Sequence, residues 1–188
     1  MNHAIATLTT SSFVGVGILN GIAAHKRPVP NLLSLSILLI AYVHYRYMSE
    51  NVEWYRHSDW LLTCPLLVYE IAYLIDLQPF GQDGGRVALA AAAAILMVWS
   101  GWKARQANVK WTWWLVGAAC LGIVYYQLLY DNSKPHKNRP LGEFYLYCWI
   151  PYGMVFWAPW ELRQTMYTLL DFVSKSTLGA IIAYQSLA

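Results

Sequence analysis

Long apolar runs broken by short polar stretches recur along the whole chain. A helix that crosses a membrane needs roughly 20 mainly apolar residues. Seven stretches meet that length: 4–24, 32–49, 56–76, 86–104, 111–130, 143–161 and 165–186. Seven spans use about 140 positions, so the connections must be short. They have the chemistry of turns, with Pro, Gly and Asn gathered in His25 to Pro30, Gln78 to Gly85 and Asp131 to Pro140. No stretch has the character of a soluble domain, a linker, a low-complexity tract or a fixed-period repeat. The pattern predicts an all-α chain forming a single seven-helix membrane domain over residues 1–188.

Composition agrees with a bilayer. The chain is 57% hydrophobic and 12% charged, against about 45–50% and about 25% in soluble domains. Its ten Trp and fourteen Tyr are residues favoured at membrane interfaces and in ligand pockets. A net charge of +3, scattered along the chain, is too small to suggest a nucleic-acid partner. Cys64, Cys120 and Cys148 all lie in apolar segments, which argues against a disulfide framework. The first span has no basic leader or evident cleavage site and is expected to be a retained helix. One set of alternating connections holds Lys26, Arg27, Arg86, Lys134, Lys137 and Arg139. The other holds Arg46, Lys103, Arg105, Lys110 and Arg163. By a margin of one residue, the positive-inside rule puts the N-terminus outside.

The informative residues are the ionisable ones within the spans, because charge at membrane depth is costly and marks ion paths or ligand counter-ions. The third span carries Arg56, Asp59, Thr63 and Glu70, at intervals of three, four and seven that align them along one helix face. Asp59 and Glu70 are eleven residues apart, about 16 Å along the axis. Two carboxyls separated by half a membrane suit stepwise proton movement. The alternative is that Arg56 and Glu70 merely snorkel from the two helix ends.

The last span places Asp171 and Lys175 at i and i+4, where side chains meet. Burial among Leu, Phe, Val, Ala and Ile disfavours the ammonium form of Lys175 and frees its amine to attack an aldehyde. An Asp–Lys salt bridge that only holds the helices together is the competing reading. His44, in the second span, is either a structural residue among aromatics or a partner able to tune Asp59.

Together these segments resemble the microbial (type 1) rhodopsins, most closely the proteorhodopsins. The third span is similar to the family's Arg-(x)2-Asp-Trp-Leu-(x)-Thr-(x)-Pro-Leu-Leu signature. The last span is similar to its retinal-bearing Asp-(x)3-Lys helix. His44-Tyr45-Arg46-Tyr47-Met48 resembles a proteorhodopsin segment on the second helix, and Trp113-Trp114 a paired-tryptophan position of haloarchaeal pumps.

The resemblance implies a bundle enclosing all-trans retinal, bound covalently to Lys175 as a protonated Schiff base. It makes Asp59 the proton acceptor and counter-ion, Asp171 a second counter-ion, Arg56 the charge positioned beneath them, and Glu70 the proton donor. Thr63 would hydrogen-bond near Asp59, and His44 would partner the acceptor. Trp60 and Trp149 would sandwich the polyene, with Tyr152 and Phe156 at pocket spacing. Leu67 would set a green-absorbing colour.

The sixth span departs from the family: Gly153 stands where proline is expected, and Pro151 is displaced by two residues. The interval from Trp149 to Asp171 is also short, so the connection between the last two spans must be tight. The extracellular proton exit is not defined by the match, with Glu161 one candidate for it. The implied function is a light-driven outward proton pump, an ion transporter and not an enzyme, in the cell membrane. The expected partners are the lipid bilayer, further copies in a homo-oligomer and the transported proton, without nucleic acid or metal.

The chief competing reading is a light-gated channel. Cys64 follows Thr63 as a cysteine does in channelrhodopsins, but the fourth span lacks the acidic partner found there. A sensory receptor needs no donor such as Glu70, and an inward pump no acceptor such as Asp59.

Overall fold

The computed structural model describes residues 3–48, 52–130 and 138–188. Ser49, the last residue of the second expected span, and the Asp131–Lys137 part of the fifth expected connection lie outside the described residues. Among the described residues there is no strand, and the helical elements run in seven successive stretches. Five begin as α1 (His3–Ala23), α2 (Pro28–Tyr47), α3 (Val52–Leu74), α4 (Gly84–Gln106) and α5 (Lys110–Tyr125). The fifth ends in a π-helical segment, π1 (Tyr126–Tyr130). The sixth is α6 (Arg139–Tyr147) followed by α7 (Ile150–Val155). The seventh is α8 (Trp160–Asp171), a second π-helical segment π2 (Phe172–Thr177), and α9 (Leu178–Leu187).

Local chemistry sets several of these bounds. α2 starts at Pro28, four residues before the expected span, because proline is tolerated in the first turn, where its missing N–H costs nothing. α3 stops in a Schellman-type turn. Asp76 takes φ 60°, and the amide of Leu77 reaches back to the carbonyl of Ala72 at 2.9 Å. The sixth stretch is interrupted at Cys148–Trp149. Pro151 lacks an N–H, and its ring conflicts with the carbonyl four residues earlier, that of Tyr147, where α6 ends. The seventh helix begins at Trp160, earlier than the expected 165, with Pro159 as its N-cap.

The chain divides into two compact units, residues 1–55 with 144–188, and residues 56–143. In the first unit α1 packs along α2, and α9 packs on both. Helices in lipid associate by close backbone approach and interhelical hydrogen bonds, and both are present. A Cβ added to Gly179 would lie 3.2 Å from Val16 Cγ1 and 3.3 Å from Leu38 Cδ1. Asn20 Nδ2 donates to the Gly179 carbonyl at 3.0 Å. Asn31 Nδ2 donates to Ser186 Oγ at 2.7 Å, and the hydroxyls of Ser12 and Ser176 lie 2.7 Å apart.

In the second unit, the alanine-rich α4 lies against α5 so closely that a Cβ on Gly117 would be 2.8 Å from Ser100 Oγ. Two arginines hold the carbonyls of π1: Arg86 Nε donates to Gln127 O at 2.7 Å, and Arg139 Nη2 to Leu129 O at 3.2 Å.

Among the described residues, four helical stretches are long and apolar enough to cross a membrane by length and composition: Ala4–Ala23, Pro28–Tyr47, Gly84–Gln106 and Lys110–Tyr130. The third and seventh carry the buried charges, and the sixth is broken in two.

Candidate functional site

The seventh helix builds the first half of the site. The i, i+4 spacing of Asp171 and Lys175 brings Lys175 Nζ to 3.6 Å from Asp171 Oδ1. Asp171 is 0% exposed and Lys175 2%. Burying two charges at such depth requires compensation by pairing and hydrogen bonds, and the neighbours supply it. Tyr45 on α2 donates its hydroxyl to Asp171 Oδ2 at 2.7 Å. Tyr152 on α7 donates to Asp171 Oδ1 at 2.9 Å. With its proton so committed, Tyr152 Oη accepts from Ser174 Oγ, 3.0 Å away. Three helices thus converge on one carboxylate beside one amine. Lys175 itself lies within π2, and π-helical turns inside α-helices are frequent at functional sites.

On the same unit, Trp149 and Phe156 are buried on the sixth stretch, and Tyr152 stacks on Tyr167 with ring centroids 5.8 Å apart. His44 is half-buried; its Nδ1 lies 2.8 Å from the Ile40 carbonyl, and its ring meets Tyr55 edge-on at 6.3 Å.

The third helix forms the other set. Arg56 and Asp59 are both 0% exposed and Glu70 is 1%. The snorkelling alternative for Arg56 and Glu70 requires charged heads that reach solvent, and the burial of both side chains argues against it. The Arg56 guanidinium lies 5.9 Å from the centre of the Trp60 ring. Trp60, Thr63 and Leu67 are buried as well. Thr63 donates its hydroxyl to the backbone carbonyl of Asp59 at 2.9 Å. This is the i−4 pattern common for helical threonines.

At the start of the seventh helix, Glu161 is exposed. Arg163 is buried, donating to Glu53 Oε1 at 3.1 Å and to the Ala158 carbonyl at 3.1 Å. Its guanidinium also lies over Trp160 at 5.2 Å.

The sequence reading did not single out Tyr45, Ser174 or the Arg163–Glu53 pair. For Tyr45 a signal existed. Ser34, Leu38, Ala41 and Tyr45 form the buried face of α2, and a tyrosine there needs a partner for its hydroxyl.

A family model described as bacteriorhodopsin-like protein matches residues 3–188. The chain belongs to this family. Two curated relatives of this rhodopsin chain illustrate its range. Bacteriorhodopsin of Halobacterium salinarum is 25% identical over 154 residues, 70% of this chain and 56% of the relative. The green-light absorbing proteorhodopsin of a gamma-proteobacterium is 25% identical over 170 residues, 76% of this chain and 68% of the relative. The rhodopsin chain spans about half the length of the curated relatives it matches first.

Among solved structures, the light-driven proton pump of Coccomyxa subellipsoidea superposes with a TM-score of 0.82 at 16% identity. That match covers 96% of this chain and 95% of the other. The fold is therefore that of the seven-helix microbial rhodopsins, in a multi-pass membrane protein.

Proteins of this family hold retinal covalently, and the residues present fit it. A buried primary amine beside an anionic partner suits condensation with an aldehyde. Trp149 and Phe156, buried in the same unit, offer flat apolar surfaces of the kind a polyene needs.

Proposed function

We propose that this rhodopsin is a light-driven outward proton pump whose retinal is carried by Lys175 Nζ. The observation that carries the reading is the set of buried ionisable groups: Asp171 beside Lys175 on the seventh helix, and Asp59 and Glu70 at two depths of the third. Bound there, retinal supplies light absorption and a change of shape that reorients its linkage to Lys175.

The chain's own groups do the rest. Asp59 accepts the proton leaving the lysine nitrogen, and Glu70, about 16 Å further along the third helix, returns one. Direction follows from which carboxyl receives and which gives. Asp171, fixed by Tyr45 and Tyr152, stays in place as a second counter-ion. Arg56 balances the negative charge, Thr63 braces the turn of Asp59, and His44 tunes the acceptor. Trp60, Trp149, Tyr152, Phe156 and Leu67 are the residues that would hold the polyene, with a green-absorbing resting state. The working location is the cell membrane, with further copies of the chain as neighbours.

The channel reading has only half of its pairing, since Gly84–Gln106 contains no Asp or Glu to set against Cys64. The deciding experiment is the light-induced pH change in a suspension of expressing cells. Acidification of the medium that a protonophore abolishes is the expected result. Passive current that only follows an imposed ion gradient would overturn the pump.

A further inference from the structure

One buried contact on the seventh helix lies beyond Lys175, on the far side from Asp171. Tyr145, on α6, is buried, and its hydroxyl lies 2.8 Å from Thr177 Oγ1. Thr177 Oγ1 lies 2.5 Å from the carbonyl of Val173 and donates to it. A threonine hydroxyl has one proton, so Tyr145 is the donor in the first bond. The chain of donation runs Tyr145 to Thr177 to Val173.

Val173 and Thr177 bracket Lys175 within π2. Widening a helix from i, i+4 to i, i+5 bonding displaces carbonyls from their usual amide donors. The Thr177 hydroxyl donates to the Val173 carbonyl inside that widened turn, and Tyr145 holds the hydroxyl from the neighbouring helix. Tyr145 also stands four residues before Trp149 on the sixth stretch, with the α6–α7 break between them. α6 is thereby attached to the lysine-bearing turn by a polar link that does not pass through Trp149 or α7.

We propose that Tyr145 is a positioning residue for Lys175: through Thr177 it ties α6 to the widened turn, so that α6 and the lysine return to the resting arrangement together. The proposal rests on the retinal-on-Lys175 reading above. In a low-dielectric interior such a hydroxyl chain is cooperative, and cutting either bond breaks the same tie between α6 and the Val173 carbonyl. The two hydroxyls therefore act as one unit.

The test uses the full retinal-loaded chain in lipid nanodiscs, following recovery of the visible band after a flash. Tyr145→Phe and Thr177→Val should each slow recovery roughly fivefold, equivalent to about 1 kcal/mol in the barrier. The double variant should be no slower than either single one, since coupled sites are non-additive. Thr177→Ser, which keeps the hydroxyl, should recover at the normal rate. Normal recovery in Tyr145→Phe would overturn the proposal, whether or not its thermal stability falls. So would additive slowing, roughly 25-fold, in the double variant. Failure of the unaltered chain to form a pigment that needs Lys175 would instead remove the functional reading. An unaffected Tyr145→Phe in a working pigment removes only this inference.

Discussion

Replacing Tyr45 by Phe removes one oxygen from the buried face of α2 and leaves the ring in place. The lost bond is the 2.7 Å donation to Asp171 Oδ2, which joins residues 126 positions apart. Two magnitudes compete. Hydrogen bonds between membrane helices average about 0.6 kcal/mol, because the unfolded chain in lipid also finds partners. Bonds to a charged group contribute about 1.5–3 kcal/mol. Here the acceptor is a carboxylate with 0% exposure beside a buried lysine, so the larger value should hold, near 2 kcal/mol.

For a chain of this size about 1 kcal/mol corresponds to roughly 2–4 °C in the unfolding midpoint. Tyr45→Phe should therefore unfold about 4–8 °C earlier in a thermal scan of the retinal-loaded protein. In an Asp171→Asn background the acceptor is neutral and the bond about half as strong, so the same substitution should cost roughly half as much. The visible band should also move to shorter wavelength, because a carboxylate stripped of a donor concentrates its charge near Lys175. A midpoint shift below about 1.5 °C, equal in both backgrounds, would refute the claim that this bond satisfies a buried charge.

The remaining predictions concern the ionisable groups. Lys175→Ala should leave helical content intact by circular dichroism and abolish the visible chromophore; a coloured variant would sink the attachment site. Glu70→Gln keeps nearly the shape of the side chain but cannot give up a proton. Its recovery after a flash should slow by at least tenfold, become pH-dependent and be partly restored by azide; recovery at the normal rate would remove Glu70 as donor. Asp59→Asn should red-shift the pigment and eliminate light-driven acidification of the medium, and continued outward transport would count against Asp59 as acceptor.

The site was legible where chemistry follows directly from helical spacing. Asp171 and Lys175 at i, i+4 predict contact, and the 3.6 Å approach follows. The aligned charges of the third span belong on one helix, and α3 carries them without interruption despite Pro65. Features that depend on hydrogen-bond register were harder to read. Nothing in Phe172-Val173-Ser174-Lys175-Ser176-Thr177 announces a widened turn, because local propensity does not distinguish i+4 from i+5 bonding. The break at Cys148–Trp149 was readable in principle, since the clash of Pro151 with the Tyr147 carbonyl is a rule of backbone geometry. An apolarity count over 143–161 does not contain that rule. Tyr45 lay hidden among neighbouring aromatics because its partner, Asp171, is 126 positions away.

The split between the four readily apolar stretches and the other three has a consequence for how the chain is made. A segment emerging from the ribosome is sorted by its own apolarity, and each charge at a helix centre costs about 2.5–3.5 kcal/mol in that sorting. α1 and α2 can enter unaided. α3, which brings Arg56, Asp59 and Glu70, is offered to the membrane before the last lysine-bearing helix has been synthesised. It has to be retained beside helices already in place, or wait at the translocon while α4 and α5 follow. Synthesis speed through α4 and the start of α5, when α3 has cleared the ribosome and meets the membrane, should therefore govern the yield of folded protein more than speed elsewhere. A pause there would give α3 time to slip back, and would be more damaging than the same pause after the seventh helix has been made.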